Sequence, residues 1–256
     1  MQGDNFLNLF KAKITSVEMM TDRGFDVGQD VYYLEPQRIL DYFQKKGIPQ
    51  TIDQVRRVSF ADFVVALRAD ARYQKDEKLF REERLSTIYI KGNIRALIYF
   101  VGDSRTKVKA GKSDSSIFTN LLYERGCQVG VMISSGALTP EAQADLAGLK
   151  TIFVQFFTDI NLCYNITKHS SVHKHVLLAD VDDKEKAREE IIAWIRSNNL
   201  SSITQLPQMS TLDPISRYYG FVPGDVIKIY RVEPFSSVIC PEVLAYRQIV
   251  RGKLTK

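Results

Sequence analysis

The chain contains no apolar run approaching the ~18–20 residues that cross a bilayer, which argues against an integral membrane protein. Cysteine is sparse: Cys127, Cys163 and Cys240 are too few and too far apart for a disulfide framework, and they fit a reducing compartment. The opening MQGDNFLNLFKAK lacks the basic start, apolar stretch and small-residue cleavage site of a secretory leader. Charge of one sign is also missing in quantity. Residues 1–149 carry 21 Lys+Arg against 19 Asp+Glu, and residues 150–256 carry 14 against 11. An excess spread so thinly excludes a dedicated polyanion-binding half, although it permits contact with nucleic acid inside a larger assembly. What is present is ordinary: 45% hydrophobic and 25% charged residues over 256 positions, enough for two globular domains and against disorder. The composition predicts a soluble intracellular protein.

Hydrophobic spacing divides the chain. Phe6, Phe10, Ile14 and Val17 share one helical face, with Asp4 or Asn5 as the expected cap and Gly24 as the stop. A second helix is expected from Pro36, with Ile39, Leu40 and Phe43 inward, ending at Gly47. A third starts at the cap Ser59, with Asp62 in its first turn and Phe63, Val64 and Leu67 apolar. Arg72–Arg84 is so charged that it reads as an exposed helix or a loop.

From Thr87 the period changes. Strands are expected at Thr87–Lys91, Ile94–Val101, Val129–Ser134 and Thr151–Phe157. The intervening helices run from Ser113 or Asp114 with Ile117, Leu121 and Leu122 apolar, and from cap Thr139 with Pro140 first and Leu146 and Leu149 inward. Alternation with such short connections predicts a parallel sheet with right-handed crossovers. The fold class is thus α/β (α+β taken as a whole): a helical lead and an αβα layer over residues 1–160, then a small mixed α/β domain over 161–256. In the latter, Asp182 or Asp183 with Glu185 opens a helix whose Ile191, Ile192 and Ile195 form a stripe. Asp213-Pro214 to Gly220 makes a short helix, and Val226–Val232 and Leu244–Val250 make strands.

No coherent catalytic set emerges. Ala110-Gly111-Lys112-Ser113 sits between a strand and a helix as a phosphate-binding loop would, but the first glycine of that pattern is replaced by Thr106. His169, His173 and His175 with Cys163 lack the paired spacing of a zinc site and read as a locally hydrogen-bonded segment. A metal-dependent nuclease needs clustered carboxylates. Asp103 follows a strand, but Asp114, Glu124, Glu141 and Asp145 fall on helices as caps and solvated faces. A stand-alone nuclease-like or nucleotide-binding α/β protein is the alternative reading. The segment from Gln205 to Arg247 is different in kind. Arg217, Tyr218 and Tyr219 on a helix of one to two turns are residue types that anchor interfaces, so a docking surface is expected there.

That segment resembles the C-terminal signature of the fifth common subunit of eukaryotic nuclear RNA polymerases, a family whose C-terminal half has a counterpart among the small subunits of the archaeal enzyme. The residues that carry the resemblance are Gln205-Leu206-Pro207, Asp213-Pro214, Arg217-Tyr218-Tyr219-Gly220, Gly224 to Ile229 with Lys228, Arg231, and Tyr246-Arg247. Asn165–His169 and Val172–His175 are similar to the family's linker. Arg23-Gly24 resembles the end of its first helix, and Thr139-Pro140 a turn of its jaw domain. His173 stands where the family has proline, and Val222-Pro223 where it has a basic pair. The resemblance implies a nuclear, non-catalytic subunit with no cofactor and no metal. Its N-terminal domain would form part of the jaw beside downstream duplex DNA. Its C-terminal domain would dock on the largest subunit through thirteen of these positions: Gln205, Leu206, Pro207, Asp213, Pro214, Arg217, Tyr218, Tyr219, Gly220, Lys228, Arg231, Tyr246 and Arg247. Other polymerase subunits and general transcription factors are the further partners implied.

Overall fold

The computed structural model describes residues 2–75, 77–102, 109–179, 184–231 and 243–252. The chain divides into two compact units, Met1–Tyr164 and Asn165–Lys256.

The first unit is built on a four-stranded sheet of β1 (Thr87–Lys91), β2 (Ile94–Phe100), β3 (Val129–Ser134) and β4 (Phe153–Thr158), in that order. Strand β1 returns antiparallel on β2, whereas β2, β3 and β4 are parallel, joined through α6 (Lys112–Glu124) and α7 (Pro140–Ala147). This is the expected α/β layer. Alternation sends Leu97, Tyr99 and Val101 to one face, where they pack with Phe118 and Leu122 of α6, Leu146 of α7 and Met132. The fit is close at Gly130, where a Cβ would stand 2.7 Å from the Phe118 ring and 2.9 Å from Leu122.

The opposite face carries Ala96, Ile98 and Phe100 and is crossed by α1 (Gln2–Asp22), which buries Leu9, Ala12, Val17, Met19 and Met20. Side chains at the two ends of the sheet fix that crossing. Lys13 reaches Thr87 and Tyr89 of β1, and Arg23 reaches Gln155 of β4. The helix α2 (Pro36–Lys45) buries Ile39, and α3 (Phe60–Ala69) is capped by Ser59, whose hydroxyl accepts from the Asp62 N–H.

Several expectations need correcting. Helix α1 begins at Gln2, so Asp4 and Asn5 lie inside it rather than capping it. In α6, Gly111 is the cap and Asp114 reaches back to accept from its N–H at 2.8 Å. The buried residues there are Ser115, Phe118 and Leu122, with Leu121 packed against the same core, whereas Ile117 stays 40% exposed on the outer side of the helix.

The charged stretch after Arg72 is not an exposed appendage. It forms α4 (Ala71–Lys75), α5 (Glu77–Phe80) and a π-helical turn at Arg81–Leu85, and it buries Tyr73, Phe80, Arg81 and Leu85. Phe80 meets Phe63 and Tyr73 edge-on, each at 5.4 Å between ring centroids. A charged sequence can do this when its few apolar residues fall together and a buried charge such as Arg81 meets an opposite one. The Arg81 guanidinium finds Asp159 at 3.1 Å.

The second unit has a sheet ordered β5-β7-β8-β6, with β5 (Lys174–Leu177), β6 (Gln208–Ser210), β7 (Val226–Arg231) and β8 (Val243–Val250). Strand β7 pairs antiparallel with β5 and β8, while β6 runs parallel to β8. Two helices complete it, α8 (Lys184–Ser197) and α9 (Pro214–Tyr219). The expected caps of α8, Asp182 and Asp183, lie outside the described residues, as do Asp103, Thr106 and Cys240. Ile192 is 47% exposed, so the predicted stripe narrows to its neighbours Ile191 and Ile195.

Candidate docking face

The helix α9 is the most tightly specified element of the second unit. Asp213 caps it by accepting from the Ile215 N–H at 2.8 Å, and Pro214 occupies the first position, where no N–H is needed. Gly220 closes it at φ 72°, a left-handed conformation in which a side chain would be strained. A second carboxylate works at the following turn: Asp225 accepts from the Val222 N–H at 2.8 Å. The helix then seats on the sheet through Ile215, Tyr219 and Phe221, which join Ile227, Ile229, Met209 and Ile249.

The structure separates residues that the sequence placed together. Tyr218 is 3% exposed, and its hydroxyl accepts from the Asn165 side-chain amide at 2.9 Å. Asn165 in turn accepts from the Thr167 N–H and hydroxyl. Tyr218 is therefore enclosed within the unit as an internal strut. Leu206, at 9% exposure, is likewise inside. Tyr219 is half-buried and stacks on Phe221 at 5.2 Å and 14°. Gln205 and Pro207 are exposed at the approach to β6: the Gln205 side chain accepts from the Ser201 N–H, and the Pro207 carbonyl accepts from Gln248.

Register sorts the strand residues. Arg247 lies opposite Ile227 and Arg231 opposite Val243, which puts both arginines on the face shared with Ile227, Ile229 and α9. Lys228 lies opposite Tyr246 on the other face, where Tyr246 packs on Trp194 of α8 at 4.5 Å between centroids. The thirteen candidates thus occupy two faces and the interior. On the α9 face, Asp213, Pro214, Arg217, Tyr219, Gly220, Arg231 and Arg247 remain partly accessible or exposed.

The histidines are used locally. His169 Nδ1 accepts from the Ser171 N–H, and His175 Nδ1 meets the His173 carbonyl at 2.7 Å. Burial lowers the His175 pKa, against which its hydrogen bond to the His173 carbonyl and the charge of Asp213 act in the opposite sense. Burial also lowers the Arg217 pKa. Among the described residues no three His, Cys, Asp or Glu gather as metal ligands, and no helix is long and apolar enough to cross a membrane. Lys112 simply opens α6.

In the first unit the motif residues are structural. The Arg23 guanidinium donates to Gln155 at 2.7 Å, Gly24 follows at φ 84°, and the Asp26 N–H then pairs with the Ile90 carbonyl of β1. Thr139 caps α7, accepting from the Ala142 N–H, with Pro140 first.

Sequence reasoning missed a buried polar centre nearby. The Lys13 ammonium is fully enclosed and donates to Asp30 (2.7 Å) and the Leu85 carbonyl (3.0 Å), with the hydroxyls of Thr87 (3.3 Å) and Tyr89 (3.4 Å) within reach of its third N–H. Burial lowers the Lys13 pKa, against the pull of Asp30. The Tyr89 hydroxyl also donates to Asp30, and burial with Asp30 nearby raises its pKa far above the usual value. Burial pushes Tyr33 up to about 12. A lysine in the polar-looking run KAKITS gives no signal of this.

This geometry defines a class: a two-unit α/β chain whose second unit holds a capped, glycine-terminated helix rigidly on a small mixed sheet. Residues 164–249, about a third of the chain, match the family described as RNA polymerase Rpb5, C-terminal domain. Those limits coincide with the second unit. Among curated relatives, the Dictyostelium discoideum protein named DNA-directed RNA polymerases I, II, and III subunit rpabc1 is 30% identical over 48% of this chain and 59% of its own length. Arabidopsis thaliana DNA-directed RNA polymerase subunit 5-like protein 1 is 24% identical over 91% of this chain and 93% of its own. The Caenorhabditis elegans subunit RPABC1 is 23% identical over 94% and 95%. The chain is thus similar to the Rpb5 subunits, with the family match confined to its second unit.

Proposed function

We propose that the chain is a non-catalytic structural and assembly subunit of a multisubunit DNA-directed RNA polymerase, working in the nucleus. The second unit docks on the largest subunit, and the first forms part of the jaw beside downstream duplex DNA. The observation that carries this is the coincidence of the family match over residues 164–249 with the unit Asn165–Lys256 and its rigid Asp213–Gly220 helix. The relatives' names, in two cases from matches that run over both units, supply the assembly. A module of this kind needs rigidity more than a pocket, and the caps, the stacked Tyr219 and the internal Tyr218 provide it.

Affinity purification of the tagged full chain tests the reading. The two large polymerase subunits are expected to co-purify with it at equal stoichiometry. Recovery as a monomer without them overturns it.

A further inference from the structure

We propose that the α9 face of the second sheet receives an acidic, extended segment of its partner, whose carboxylates pair with Arg247 and Arg231. This rests on the docking reading above and deepens it by naming the chemistry of the contact.

The argument is one of charge placement. On this face the described charged side chains are Asp213, Arg217, Arg231 and Arg247, with His175 beside them opposite Ile229. Asp213 and Asp225 are already engaged, each accepting a backbone N–H at one end of α9 or its exit turn. Arg231 and Arg247 form no salt bridge with any described residue. Helix α8, which packs through Trp194 on the opposite face, mixes Glu185, Glu189 and Glu190 with Lys186, Arg188 and Arg196. On the α9 face, by contrast, the acids are engaged by backbone N–H groups and the two strand arginines carry the net positive charge.

Spacing adds specificity. Arg247 is level with Ile227, and Arg231 is four residues further along β7, so the two lie about 13 Å apart along the strands. Four residues of an extended partner cover the same distance. An arginine at such a spot forms bidentate, charge-assisted bonds to a carboxylate. The lowered pKa values of half-buried Arg217 and His175 reflect hydration already lost, which an incoming anion would offset.

The test measures binding of the full chain to the purified largest subunit of the same polymerase across added NaCl. Affinity is expected to fall about tenfold or more between about 50 and 300 mM salt. At low salt, Arg231→Glu and Arg247→Glu each weaken binding about tenfold, Arg247→Gln weakens it less, and Arg196→Glu on α8 leaves it within about twofold. Circular dichroism checks each fold, and exposed Arg231 keeps the test open should an Arg247 variant misfold. Binding by the wild type that ignores both salt and the Arg231 and Arg247 reversals overturns the acidic-segment inference while leaving docking intact. No binding by the wild type at any salt removes the docking reading and this inference together.

Discussion

The two units spend their polar residues in opposite ways. The first takes charges inside: Lys13 is fully enclosed against Asp30, and Arg81 is fully enclosed against Asp159. The second encloses neutral groups, Asn165 with Tyr218, and leaves its arginines at the sheet face and edge. Buried ion pairs cost desolvation and rarely add net stability, but they penalise any other arrangement of the segments they join. Lys13 joins α1, the Gly28–Tyr33 turn, the Arg81–Leu85 turn and β1, so the pair fixes how four segments meet. Among the described residues the second unit buries no such charge pair. The contrast separates polar groups enclosed within a fold from those left at its surface.

The largest effects should come from the first unit. Lys13→Ala leaves Asp30 without its cation in a mostly enclosed site and should cost about 3–5 kcal/mol, measured by urea unfolding. Joint replacement by Lys13→Met and Asp30→Asn should recover much of that loss. If the single variant is as stable as wild type, the enclosed charge holds nothing. Phe118→Ala, beneath Gly130, belongs in the same range, about 3–5 kcal/mol, with circular dichroism as the readout.

Smaller effects are expected in the second unit. Tyr218→Phe removes the hydroxyl that accepts from the Asn165 amide and should cost about 1 kcal/mol of stability while leaving partner affinity within about threefold. A large loss of affinity with unchanged stability would return Tyr218 to the docking surface. Asp213→Ala removes the α9 cap, at about 1 kcal/mol.

The smallest effect is a pH dependence in the first unit. Hydrogen bonds from Lys46 and Tyr42 hold the Asp26 carboxyl at about 2, below its ordinary 3.8. A depressed carboxylate contributes stability that is complete above 3.8 and lost as pH falls toward 2, because the unfolded chain takes the proton first. The pair is largely exposed, so the contribution is slight. Asp26→Asn should flatten acid unfolding in that window, and an unchanged profile would refute it.

Local chemistry made part of this architecture legible. Ser59, Thr139 and Asp213 are caps because short oxygen-bearing side chains satisfy the first N–H groups of a helix. The sequence Asp-Pro followed by Gly six residues on leaves little choice of conformation. The parallel β2-β3-β4 layer followed from apolar runs too short for anything but strands. Other features depend on partners distant in sequence and left no local trace. KHVL and QMS became β5 and β6 only because β7 and β8 offer edges to pair with. Arg81 looked solvated because Asp159 is 78 positions away. Tyr218 and Arg217 are neighbours in sequence, yet a helix turns about 100° per residue and sends one inward. The candidate site was therefore found as a segment but not as a surface.

The sole tryptophan, Trp194, lies against Tyr246, so every indole photon originates in the second unit. Emission should shift when α8 lifts from the sheet and stay silent to events around Lys13. The molecule thus carries an optical label on one half only, and melting curves followed by indole light and by far-ultraviolet signal can be compared to see whether the halves let go together or in turn.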